Sequence, residues 1–168
     1  VSITKTFVDA VEDTLNPGEY DVTYTLKVTN LGGETEQYAL TDTFSPDNDV
    51  VRVGSNVPVA VWDSVLSTSG IETPGTYPNF LATDAGTVEG GTFDQFTVSV
   101  KVMVDLTAGD ARYDVCTSAS SRINEGLFNQ GTLTIGGIAQ SDEACGDIPP
   151  SVSITKTFVD AVEDTLNP

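Results

Sequence analysis

Tyr20, Val22, Tyr24, Leu26 and Val28 alternate without interruption with Asp21, Thr23, Thr25, Lys27 and Thr29. A strict period of two puts every apolar side chain on one face only if the backbone is extended, so this segment is a half-buried β-strand. Phe96, Val98, Val100, Val102 and Val104 repeat the pattern against Gln95, Thr97, Ser99 and Lys101. Shorter runs at Ser2–Val8, Gln37–Phe44, Val57–Trp62, Ala111–Ser118 and Thr132–Ile138 are further predicted strands. Turn chemistry separates them: NPG at 16–18, LGG at 31–33, SPDND at 45–49, TPG at 73–75 and EGG at 89–91. Seven or more short strands at this spacing predict an all-β chain folded as a two-sheet sandwich. Between Asp9 and Leu15, Val11 and Leu15 suit a short helical turn facing inward. Residues 65–92 predict a long loop with a short strand near Tyr77–Leu81.

The 17 residues VSITKTFVDAVEDTLNP occur twice, at 1–17 and at 152–168, without a difference. Chance does not produce such an identity, so residues 1–148 read as one repeat of a tandem array. Residues 149–151 read as a Pro-rich linker. Residues 152–168 read as the first strand of the next, identical repeat. A duplicated tag would be the bland alternative, but the 17-mer has strand periodicity.

The 168 residues carry 25 acids, 7 bases and no histidine, a formal charge of −18. Such a surface repels nucleic acid. It favours an extended, soluble fibre or stalk whose units keep apart. The missing histidine removes the commonest general base and transition-metal ligand, and no nucleophile–base arrangement replaces it, so no enzyme is expected. No apolar run is long enough to span a membrane. No basic, apolar, small-residue leader opens the chain, so a signal peptide is expected to be absent or to lie outside this stretch. Cys116 and Cys145 are the only cysteines. In an acidic, turn-rich β chain they read as one disulfide in an oxidising, extracellular compartment, with two free buried thiols as the alternative. They lack the CxxC spacing of a zinc or redox site.

PGEYDVTYTLKVTNLGG, followed by YALTDTF, resembles the bacterial surface repeat called domain of unknown function eleven. The opening ITKTFVD and the closing GLFNQGTLT are similar to that family's first and last strands. Gly131 stands where the family pattern has alanine, and the middle of the chain, roughly 50–95, carries no resemblance. The likeness implies an immunoglobulin-like sandwich, used as a stalk or matrix unit of adhesins and cell-surface proteins, without catalytic turnover.

Strand parity adds a sharper signal. Lys5 falls in phase with Val1, Ile3 and Phe7. Asp42 falls in phase with Tyr38, Leu40 and Phe44, and Asn129 with Leu127, Leu133 and Ile135. Three polar side chains are thus assigned inward, and unpaired burial of each costs several kcal/mol. Burial favours a neutral amine and a protonated acid. Lys5 could then attack the Asn129 amide with help from Asp42, leaving an isopeptide bond as in pilin and adhesin domains. A buried Lys5–Asp42 ion pair and a register slip that exposes Lys5 are the alternatives. Lys156 is the repeat copy of Lys5. The segment that carries it could fill the first-strand slot of its own or a neighbouring copy, giving self-association by strand donation.

Hard-oxygen clusters on turns suit calcium. Asp47 and Asp49 share one turn, and Asp105, Asp110 and Asp114 surround another; a plainly solvated acidic surface is the competing reading. No other cofactor is required. A second functional class is a carbohydrate- or surface-binding module. In it Trp62, Tyr77 and Phe80 would form an exposed aromatic platform on the central insertion.

Overall fold

The computed structural model describes residues 1–105, 114–117 and 123–148. Asp110, Lys156, the linker at 149–151 and the second copy at 152–168 lie outside the described residues. Nine strands and no helix are found among the described residues: β1 (Ser2–Glu12), β2 (Glu19–Thr29), β3 (Glu36–Phe44), β4 (Val50–Arg52), β5 (Val59–Trp62), β6 (Asn79–Val88), β7 (Phe93–Val104), β8 (Asn129–Ile135) and β9 (Ile138–Ala144). One sheet runs β1-β2-β7-β4, with β5 also paired to β7; the other runs β6-β3-β8-β9. Every pairing is antiparallel. The molecule is an all-β sandwich of two antiparallel sheets.

The two strongest alternating segments pair with each other. Tyr20, Val22, Tyr24, Leu26 and Val28 lie opposite Val102, Val100, Val98, Phe96 and Asp94. Cross-strand partners share a face, so one register buries both apolar sets. Tyr38, Leu40, Phe80 and Leu133 fill the facing side from the second sheet, and all are essentially inaccessible. Asp94 continues the inward parity of β7, and its Oδ2 accepts a hydrogen bond of 2.8 Å from the Tyr38 hydroxyl.

The structure corrects several sequence expectations. Asp9–Leu15 forms no helical turn. β1 continues to Glu12 through a register shift between Phe7 and Asp9, and Val11 and Leu15 are exposed. A shift of this kind reverses side-chain parity, which the simple alternation could not carry. Residues 114–117, the described part of the strand predicted at Ala111–Ser118, are irregular. The predicted loop at 65–92 contains all of β6, and the strand expected at Thr132–Ile138 is β8 with the start of β9. Between them Gly136 and Gly137 have φ of 55° and 81°, the two positive values a tight hairpin requires.

Candidate cross-linking site

β1 is the outer strand of the first sheet, and β8 lies inside the second. The edges of the two sheets meet where β1 passes β8 and β9. The Lys5 backbone N–H donates to the Asp142 carboxylate of β9 across 2.7 Å. The Gln140 amide donates to the Val1 carbonyl at 3.3 Å. These contacts fix the register of β1 against the second sheet and turn the Lys5 side chain inward.

There Lys5 Nζ contacts Asp42 Oδ1 directly, and both side chains are completely buried. β3 and β8 pair with Asp42 opposite Gly131 and Phe44 opposite Asn129, so Asp42 and Asn129 are diagonal neighbours. Asn129 is fully buried, and neither its oxygen nor its nitrogen has a well-formed hydrogen bond; Asp42 Oδ2 also lacks one. The Asn129 amide nonetheless lies close enough to favour the charged form of the Asp42 carboxyl.

Aromatic rings close the site. The Lys5 ammonium sits 5.2 Å from the centre of the Tyr24 ring. Phe7 and Phe44 meet Tyr24 edge-on, at centroid distances of 5.7 Å and 6.5 Å. The Tyr24 hydroxyl donates to the Leu127 carbonyl at 2.6 Å and so faces away from solvent. An added methyl on Gly131 would lie 2.7 Å from Leu26 Cδ2.

Electrostatics follow from burial. Loss of hydration lowers the Lys5 pKa, opposed by the attraction of Asp42. Loss of hydration likewise raises the Asp42 pKa, opposed by Lys5 and Asn129. Both shifts favour the neutral pair.

The inward assignments of Lys5, Asp42 and Asn129 therefore meet in one place. Asp142 was missed because β9 carries no apolar alternation. Buried Asp94 was missed as well, although its parity with Phe96 and Val98 was available to find it. Cys116 and Cys145 form a disulfide with Cα atoms 5.9 Å apart. Asp47, Asp49 and Asp114 come together, with Asp105 near enough to act on Asp49. The exposed aromatic platform is not formed: Phe80 is buried, and Trp62 and Tyr77 pack against the core. β5 carries Trp62 and β6 carries Phe80 into the sandwich rather than onto an insertion, and Tyr77 lies in the turn before β6.

No family model and no curated protein matches the chain. Among solved structures, it is similar to the major pilin subunit of Bacillus cereus, with 16% identity and a TM-score of 0.33 over 85% of this chain and 38% of that one. It is also similar to an exo-β-N-acetylglucosaminidase of Vibrio harveyi, with 10% identity and a TM-score of 0.29 over 95% of this chain and 20% of that one. The chain thus spans well under half the length of either protein.

Proposed function

We propose that the chain is a structural repeat of an extracellular bacterial fibre, adhesin stalk or matrix protein, closed covalently by an isopeptide bond between Lys5 and Asn129. The observation that carries this reading is the dry contact of Lys5 with Asp42 beside an Asn129 amide without a well-formed hydrogen bond. In the reaction, the neutral Lys5 amine attacks Asn129 Cγ while protonated Asp42 donates to the amide oxygen. Asp42 then passes a proton from Nζ to Nδ2. The Nζ–Cγ bond forms, the Cγ–Nδ2 bond breaks, ammonia leaves and Asp42 regains its proton. The event occurs once per molecule and is not turnover.

The topology gives the bond a mechanical use. Tension entering at β1 would otherwise peel an edge strand held, among the described residues, by β2 alone within its sheet. A Lys5–Asn129 bond passes that load to the second sheet. The duplicated 17-mer, the disulfide, the acidic surface and the likeness to a bacterial surface family support the same role and location. Because the duplicate at 152–168 has the sequence of an edge strand, we include self-association by strand donation in the proposal.

The direct Lys5–Asp42 contact also supports a second reading, a buried ion pair without a covalent bond. Peptide mapping separates the two. A digest of the reduced protein is expected to contain one branched peptide joining the Lys5 segment to the Asn129 segment. Asp42→Ala should abolish it although both bonding partners remain. Only linear peptides from the wild-type protein would leave the ion pair.

A further inference from the structure

The turn between β3 and β4 and the disulfide-bearing segment bring three carboxylates together. One oxygen each of Asp47, Asp49 and Asp114 lie within 4.8 Å of one another. Acidic clusters are common on so negative a chain, but this one is not a solvated surface. Asp47 is 3% exposed and Asp49 1% exposed. Neither Asp49 oxygen has a hydrogen-bond partner, and Asp114 Oδ1 also lacks one. A completely buried carboxylate aimed at two others, with no donor on either oxygen, is an arrangement that a cation completes.

The surrounding backbone holds the cluster in place. The Asp49 N–H donates to Asp47 Oδ1 at 2.9 Å, and the Asp47 N–H donates to the Gly126 carbonyl at 2.9 Å. The Asp114 carbonyl accepts from the Ile148 N–H at 2.8 Å, and Asp147 accepts from the Cys116 N–H at 2.8 Å. These bonds join the β3–β4 turn to Gly126 and join Asp114 and Cys116 to the segment after β9.

We infer that Asp47, Asp49 and Asp114 hold a calcium ion, which ties the β3–β4 turn to the disulfide-linked exit segment. The oxygen spacing is within twice a Ca–O bond of about 2.4 Å. Magnesium keeps several waters and octahedral bonds of about 2.1 Å, which suits two carboxylates this deeply buried poorly. The ion would neutralise the repulsion among these three carboxylates and stiffen the β3–β4 turn against the Asp114 segment. This site is independent of the Lys5 cross-link and stands or falls separately.

The test uses the full chain, stripped with a chelator and titrated with calcium chloride by calorimetry and thermal melting. Saturable binding is expected, with a melting temperature raised by about 5–10 °C at a hundred-fold excess over Kd. Magnesium chloride at the same concentration should give a smaller rise. Asp49→Asn/Asp114→Asn should lose the calcium response and melt higher than wild type in chelator, because it relieves unscreened repulsion. Asp9→Asn/Glu89→Gln, which removes two exposed acids elsewhere, should keep the response. If the double variant does not fold, Asp114→Asn alone serves the same comparison. The inference is overturned by no saturable heat at millimolar calcium, by an equal response to magnesium, or by a calcium response that survives in the folded Asp49→Asn/Asp114→Asn protein.

Discussion

Tyr38 and Asp94 show how much a single buried polar pair constrains this sandwich. The hydroxyl reaches across from the second sheet to a carboxylate of the first. Asp94 is completely buried, and burial raises its pKa against the opposing effects of Tyr38 and Trp62. Glu72 is raised in the same direction, again chiefly by burial. Both groups bind protons more tightly folded than unfolded. Their contribution is therefore fully present below the unfolded carboxylate pKa of about 4 and is lost as pH rises through the higher folded values. The charge of −18 adds self-repulsion in the same sense. Asp13 opposes them, because its contact with Lys101 lowers its pKa and its contribution is lost only as pH falls below about 4. The melting temperature of the calcium-free protein is expected to rise from pH 7 to pH 5 (conditions chosen around the carboxylate range). Asp94→Asn should flatten that rise, and a wild-type melting temperature that falls over the interval would contradict this assignment. The inward aspect of Lys5, Asp42 and Asn129 was legible in sequence because Lys5 and Asp42 sit within alternating strands and Asn129 falls in phase with Leu133 and Ile135. Glu72 was not, since it lies in an irregular segment whose burial comes from folding against Thr87, 15 positions away.

The elements differ in how openly their sequences declare them. β2 and β7 bury one full face each, so their alternation specifies both conformation and register. β9 reads IAQSDEA and buries only Ala144; nothing apolar marks it, and pairing with β8 through the two-glycine turn makes it a strand. β6 is broken by two register shifts against β3 and by Asp84 at φ 56°, which hides its period. Such strands depend on tertiary ties, and the Cys116–Cys145 disulfide is one placed just after β9. It closes a loop of 29 residues' separation. Closure of a loop that size contributes about 3–4 kcal/mol in the chain-entropy model. Reduction is expected to lower the melting temperature by about 10 °C, and Cys116→Ser/Cys145→Ser should match the reduced wild-type protein. A reduced protein that melts with the oxidised one would mean that the loop is held by other contacts.

At the scale of the whole molecule, the two edge strands β1 and β9 lie side by side, and among the described residues β1 is joined to its own sheet by β2 alone. In the proposed strand donation, the second copy of the β1 sequence would compete for that position. Deletion of residues 152–168 is expected to leave a monomer by light scattering, whereas the full chain should form linear assemblies visible by electron microscopy. Equal behaviour of the two proteins would remove strand donation from the proposal. Covalent closure acts against exchange, since a β1 already bonded to β8 cannot be displaced. The fraction of chains cross-linked before they meet a neighbour then sets the extent of assembly.

The central claim, a Lys5–Asn129 bond, is tested most directly by the intact mass of the fully reduced protein. Reduction removes the disulfide's contribution, so only the loss of ammonia should remain. The expected wild-type mass is lower than the sequence mass by about 17 Da, one ammonia. Lys5→Ala/Lys156→Ala, which removes both copies of the amine, Asn129→Ala and Asp42→Ala should each show their own full sequence mass. A reduced wild-type protein at its full sequence mass would contradict the bond and leave Lys5 and Asp42 as a buried ion pair.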